Sequence, residues 1–179
     1  MMKYLALLVL SFAPFGTNAF ASEPDLKTPS PVIYLADNLD ENQSLGWCID
    51  TVGRGFNDQL HAHSCKPQGG DVQFKFLSDT SQIQSVEYPE KCVALIDASN
   101  EKIPFGLSDC DAGSEAQKFT YHADTLQITL NSNVEKCMAV GTQSRSAGPF
   151  MSRDLIIGNC ADLPKTHIQW RSKIDESEN

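Results

Sequence analysis

From residue 32 onward the chain alternates short apolar runs with polar, turn-forming clusters. The runs cover 32–35, 72–77, 92–96, 119–121, 126–130, 137–140 and 155–157, and Asn, Asp, Ser, Gly and Pro gather between them. Residues 126–130 read LQITL, an alternation that places Leu126, Ile128 and Leu130 on one face of a half-buried strand. Runs this short, bounded by turn residues, predict β-strands. No segment sustains the 3.6-residue period of an amphipathic helix, so the pattern predicts an all-β chain.

The runs recur. Residues 72–95 read VQFKFLSDTSQIQSVEYPEKCVAL, and 45 positions later residues 117–140 read QKFTYHADTLQITLNSNVEKCMAV. Phe74 aligns with Phe119, Ile83 with Ile128 and Cys92 with Cys137. A shorter, more diverged copy precedes them, and the third carries an insertion near 144–153. The chain therefore divides into copies at 32–71, 72–116 and 117–170, about 40 to 54 residues each. A repeat of this length points to a pseudo-symmetric closed fold. Each copy holds two cysteines, and symmetric copies stapled alike would carry Cys48–Cys65, Cys92–Cys110 and Cys137–Cys160.

The flanks differ in character. Residues 1–21 have Lys3 ahead of an apolar stretch and end on Ala19-Phe20-Ala21, the pattern of a secretory signal peptide cut after Ala21. Pro14, Thr17 and Asn18 interrupt the stretch, which disfavours a membrane anchor. The expectation is a secreted or periplasmic protein, where disulfides persist. Residues 22–31, with three prolines, suggest a linker, 32–170 the folded domain, and 171–179 a polar tail.

Composition changes little. At 179 residues, 41% hydrophobic and 21% charged, the chain is ordinary globular material. Its net charge of -9 argues against nucleic acid or anionic membranes as partners. G-x-S-x-G, H-E-x-x-H and a Gly-rich phosphate loop are all missing, and paired cysteines leave no thiol nucleophile. No enzyme activity and no cofactor are expected. Asp97, Asp109, Asp111 and Glu115 read as a solvated acidic face.

The first copy carries a fuller pattern: Cys48-Ile49-Asp50, the turn Gly53-Arg54-Gly55, Leu60, then His63-Ser64-Cys65. The copies end on an aromatic with a nearby Gln: Val72-Gln73-Phe74, Gln117-Lys118-Phe119 and Ile168-Gln169-Trp170. This pattern resembles the ricin-type β-trefoil lectins, whose repeats carry a Q-x-W signature. The resemblance implies a β-trefoil, with Phe74, Phe119 and Trp170 in its core. It also implies a glycan ligand, of the galactose type. In that family a carboxylate two residues after the first Cys accepts sugar hydroxyls, an aromatic two residues before the second Cys stacks, and an Asn near the closing aromatic adds a bond. Those positions hold Asp50, His63 and Asp71 in the first copy, with His61 beside them. The second copy offers Ala94 and Ser108, and the third Ala139 and Gly158. At most one sugar site is therefore expected, in the first copy.

Two alternatives stand beside it. His61 and His63, one strand repeat apart, could hold a divalent metal with Asp50 and Asp71, or be two surface histidines at a turn. A trefoil that has lost sugar binding could instead recognise a protein partner through the inserted loop of the third copy. An open pocket at Asp50 and His63 would favour the glycan. An exposed apolar patch at Pro149-Phe150-Met151 would favour the protein.

Overall fold

The computed structural model describes residues 22–53 and 55–174. The expected signal peptide, Arg54 and residues 175–179 of the expected tail lie outside the described residues.

Among the described residues, fourteen strands run in chain order: β1 (Val32–Leu35), β2 (Trp47–Thr51), β3 (Leu60–Ser64), β4 (Phe74–Leu77), β5 (Gln82–Ser85), β6 (Lys91–Leu95), β7 (Phe105–Asp109), β8 (Phe119–His122), β9 (Gln127–Leu130), β10 (Asn133–Val140), β11 (Arg145–Ala147), β12 (Phe150–Arg153), β13 (Leu155–Asn159) and β14 (Trp170–Lys173). A 3-10 turn (Glu115–Gln117) and a single helical turn, α1 (Lys165–Ile168), interrupt them.

The pairing repeats three times. β4 pairs with β5, β8 with β9 and β14 with β1, all antiparallel. In register, Phe74 faces Ser85, Phe119 faces Leu130 and Trp170 faces Leu35. A second set of antiparallel pairs, β2–β3, β6–β7 and β10–β13, carries the first cysteine of each bridge and ends one residue before the second. This is a β-trefoil, with the pair β1–β14 joining the first copy to the last.

The core follows from the symmetry. Ile33, Ile83 and Ile128 occupy matching strand positions, and Phe74, Phe119 and Trp170 are all essentially fully buried. Such side chains each contribute roughly 1.5–3 kcal/mol by leaving water. The polar atom of Trp170 is also satisfied, since Nε1 donates to the Met138 carbonyl. Trp47 donates to the Asn38 carbonyl, and the Arg153 guanidinium lies 4.9 Å above its ring. The three disulfides join Cys48–Cys65, Cys92–Cys110 and Cys137–Cys160, one bridge per copy.

The Q-x-aromatic signature has a structural basis. Gln117 is buried, and its side chain makes four hydrogen bonds. It donates to Ser108 Oγ and the Asp109 carbonyl, and accepts from the Asp111 amide and Gln82 Nε2. The matching positions in the other copies hold Val72 and Ile168, both buried. There an apolar side chain fills the space that the glutamine bridges.

Two expected boundaries move. Residues 22–31 are not a free linker: Pro24 and Thr28 are buried, and Leu26 packs beside the Cys48–Cys65 bridge. Thr28 Oγ1 donates to the Lys66 carbonyl. The polar tail likewise begins later than 171, because Arg171, Ser172 and Lys173 continue β14 and pair with β1. Apolar contacts in the first case, and ladder hydrogen bonds in the second, outweigh the polar composition that suggested free chain.

The insertion in the third copy forms the hairpin β11–β12. Its turn places Gly148, at φ +67°, before Pro149. A leading positive φ with Pro second fits the type II′ geometry of a two-residue hairpin loop. The hairpin does not stay with its own copy. β12 pairs with β3 of the first copy, Ser152 opposite His63 and Arg153 opposite Ala62. One six-stranded sheet results, in the order β11-β12-β3-β2-β1-β14.

A composite pocket on the first repeat

β2 and β3 lie antiparallel with Asp50 opposite His61 and Cys48 opposite His63. His61 and His63 therefore project to one face, as alternate strand residues must. They open into a pocket of about 630 Å³. Its other walls are the β2–β3 loop at Gly53 and Gly55, the segment carrying Lys66 and Asp71, and the inserted hairpin at Gly148, Pro149 and Phe150. The structure thus brings His61, His63 and Asp71 to one cavity.

Asp50 lies beneath them rather than on the wall. It is 1% exposed. Its Oδ2 sits 3.0 Å from Lys66 Nζ, 3.6 Å from His63 Nδ1 and 3.7 Å from His61 Nε2. Lys66 also holds Asp71 Oδ1 at 2.6 Å, so one ammonium joins two carboxylates. Burial opposes the charge on Lys66, but Asp50 and Asp71 outweigh it and hold the pKa above that of an ordinary lysine. Burial pushes the His63 imidazole below its usual pKa, against the Ser64 carbonyl and Asp50, which favour the proton.

These ion pairs leave hydrogen-bonding capacity unused. Neither oxygen of Asp50 accepts a well-formed hydrogen bond, and His61 Nε2 is likewise buried without a partner. Buried polar groups usually find partners, so Asp50 Oδ1 and His61 Nε2, both unpaired under one pocket, mark a place built for polar company.

The metal alternative loses ground on the same geometry. Lys66 Nζ occupies the position beside Asp50 that a cation would take. Among the described residues no group of three or more His, Cys, Asp or Glu side chains is arranged to hold a metal ion.

The apolar wall comes from the third copy. The Phe150 ring stands edge-on to His63, centroids 5.7 Å apart. The hairpin is held there by the first copy: the Met151 amide donates to Ser64 Oγ, Ser64 donates to Glu41 Oε1, and Gln43 Nε2 donates to the Pro149 carbonyl. Arg153 is buried, donates to the Gly141 carbonyl and pairs with Asp40.

In the other two copies the matching space is filled. Opposite Ala94, the place of His61 is taken by Gly106. A Cβ there would stand 2.0 Å from Ile96 Cδ1 and 2.4 Å from the Asp58 carbonyl oxygen, so neighbouring atoms fill the space. In the third copy Ile156 faces Ala139, and Leu163 closes on Gly158. A second hollow of about 400 Å³, with Phe76, Tyr121 and Trp170 in its wall, shares no residue with the first-copy pocket.

A family profile described as the ricin-type beta-trefoil lectin domain matches residues 39–170. The chain belongs to the ricin-type β-trefoil lectin family. The match spans most of the chain and reaches into all three repeats of this lectin domain. Among curated proteins, a segment is 38% identical over 66 residues to the BOS complex subunit NCLN of Canis lupus familiaris and 36% identical to that of Homo sapiens. Each alignment covers 32% of this chain and 11% of the relative, so the lectin chain matches only a small part of either. Among solved structures, a crystal structure of GalNAc-T7 with UDP, GalNAc and Mn2+ superposes with a TM-score of 0.49 at 18% identity. That alignment covers 72% of this chain and 20% of the other.

The sequence pattern does not mark Lys66, and it marks Phe150 only within an apolar patch for a protein partner, not as a wall of this pocket. Lys66 follows Cys65 directly and looks like a surface lysine. Two acids assigned to one pocket, Asp50 and Asp71, were the signal that a cation had to sit between them. Phe150 lies in an insertion with no counterpart in the other copies, so the repeat could not place it.

Proposed function

We propose that this chain is an exported carbohydrate-binding module that takes a sugar in the first-repeat pocket, without catalysis. The observation that carries the reading is the pocket itself, where family-position side chains open beside an aromatic wall and above unsatisfied polar atoms. His61, His63 and Asp71 offer donors and acceptors to ring hydroxyls. Phe150 offers a flat apolar face for the sugar's C–H side, a complementarity general to amphipathic rings. Asp50 and Lys66 serve from beneath, holding Asp71 and the histidines in place. A galactose-type sugar is the family expectation for this site. Export is supported by the N-terminal pattern and by three disulfides, which need an oxidising compartment.

The rival reading, a protein-binding trefoil, asked for an exposed apolar patch at 149–151. Phe150 and Met151 are instead half-buried, and Phe150 faces the pocket. The test is a glycan array probed with the protein displayed multivalently, because one shallow site gains detectability from avidity. Phe150→Ala and His63→Ala are expected to abolish the signal while leaving the melting temperature near wild type for Phe150→Ala. Absence of binding to every glycan, with disulfides intact, would overturn the reading and favour the protein partner.

A further inference from the structure

We propose that the second hollow, walled by Phe76, Tyr121 and Trp170, binds a small aromatic carboxylate. The ligand's ring fills the place of an aromatic that the third repeat lacks, and its carboxylate meets Arg171. The two cavities share no residue, so the inference stands apart from the sugar reading.

The hollow arises from a break in the threefold symmetry. Phe74, Phe119 and Trp170 hold matching positions on β4, β8 and β14. Two residues further along, and so on the same face, stand Phe76, Tyr121 and Ser172, opposite Ile83, Ile128 and Ile33. Two copies thus supply an aromatic ring at this level and the third supplies only a hydroxymethyl group. The two rings are 6.3 Å apart between centroids, and Tyr121 is tied in place by donating its hydroxyl to the Trp170 carbonyl. Ser172 shares a face with buried Trp170 and is nevertheless exposed, so the barrel opens to solvent where a third ring would stand.

The lining selects the ligand. Its floor is apolar: Ile33, Phe119, Ile128 and Trp170 are each at most 2% exposed. A pyranose would press hydroxyls without partners against that floor, at a cost, whereas an aromatic ring suits it. An apolar cavity of about 150 Å³ takes benzene, so about 400 Å³ admits a ring with a short side chain. Among the described residues lining the hollow none is acidic, and Arg171 is the charged one, in a chain of net charge -9. Arg171 donates to Glu23 through Nη1, and a guanidinium has five donors, enough to take a second carboxylate.

The experiment titrates the oxidised protein with 3-phenylpropionate and with its uncharged amide, followed by NMR shifts of Tyr121 and Ser172 amides and Ile33 and Ile128 methyls. Wild type is expected to bind the acid about tenfold more tightly than the amide, the scale of one charge-assisted hydrogen bond. Ser172→Phe, which supplies the third ring from the chain itself, is expected to abolish binding of both without lowering the melting temperature. Arg171→Gln, a change at an exposed side chain, is expected to erase the preference for the acid and leave binding of the amide unchanged. Shifts absent at millimolar acid, or binding that survives Ser172→Phe, overturn the site. Equal affinity for acid and amide in wild type, or a preference that survives Arg171→Gln, overturns the carboxylate assignment and with it the proposal.

Discussion

Lys66 and Asp50 form an ion pair at 3.0 Å beneath the pocket, with Asp50 1% exposed and the Lys66 side chain 13% exposed. A buried charge left without its partner is far costlier than the intact pair is favourable. Lys66→Met therefore strands Asp50, whose oxygens accept no other hydrogen bond. The expected loss is about 3–5 kcal/mol in urea unfolding. The double variant Lys66→Met/Asp50→Leu is expected to recover most of it. Equal losses in single and double variants would show that the pair's charge is not what matters.

The same lysine predicts an alkaline limit. Its folded pKa is raised above the ordinary value of 10.5. The stabilisation is fully present below that value and is lost as pH climbs through the folded pKa. Wild type is expected to lose stability across this window more steeply than Lys66→Met, as read by denaturant midpoints at stepped pH.

His63 works in the opposite direction. Its folded pKa lies below 6.5, because burial disfavours the charged ring. Between 6.5 and that lower value the unfolded chain binds the proton and the folded chain does not, so stability falls on acidification. Below the folded pKa the contribution levels off. Melting temperatures from pH 7.5 downward are expected to drop less for His63→Gln than for wild type.

The glutamine clamp predicts a contrast within one protein. Gln117→Ala removes four hydrogen bonds from a buried site, an expected cost of about 2–4 kcal/mol. Gln169 makes one long bond, 3.4 Å to the Thr125 carbonyl, and Gln169→Ala is expected to be near neutral. Chemical denaturation of the two variants decides it.

The bridges close loops of 17, 18 and 23 residues. Loop entropy gives each about 3 kcal/mol, differing among themselves by only about 0.3 kcal/mol. Paired Cys→Ala replacements are expected to cost similar amounts. A much larger loss at one bridge would show that packing, rather than chain constraint, dominates there.

The trefoil was legible because its copies share a 45-residue register that carries Phe74 onto Phe119 and Cys92 onto Cys137. Periodicity encodes symmetry directly. The site was legible only where it obeys that symmetry: His61, His63 and Asp71 lie at repeat positions, and they meet. Asp50 is at its repeat position too, but depth is a property of packing, and no spacing foretold that three side chains would cover it. Phe150 breaks the symmetry altogether. Its place depends on β12 pairing with β3, a contact between residues some ninety positions apart that no local pattern records.

That pairing has a consequence for how recognition is acquired. A chain ending before residue 145 already owns every first-repeat side chain discussed above, yet it has no wall opposite His63. The pocket is finished only when the last third of the polypeptide returns to the first, the same closure that zips β14 onto β1. Occupancy of the pocket would then be linked to the closed ring as a whole. A ligand held there clasps the two ends of the fold together, so its binding is felt as resistance of the entire domain to opening rather than as the tightening of one lobe.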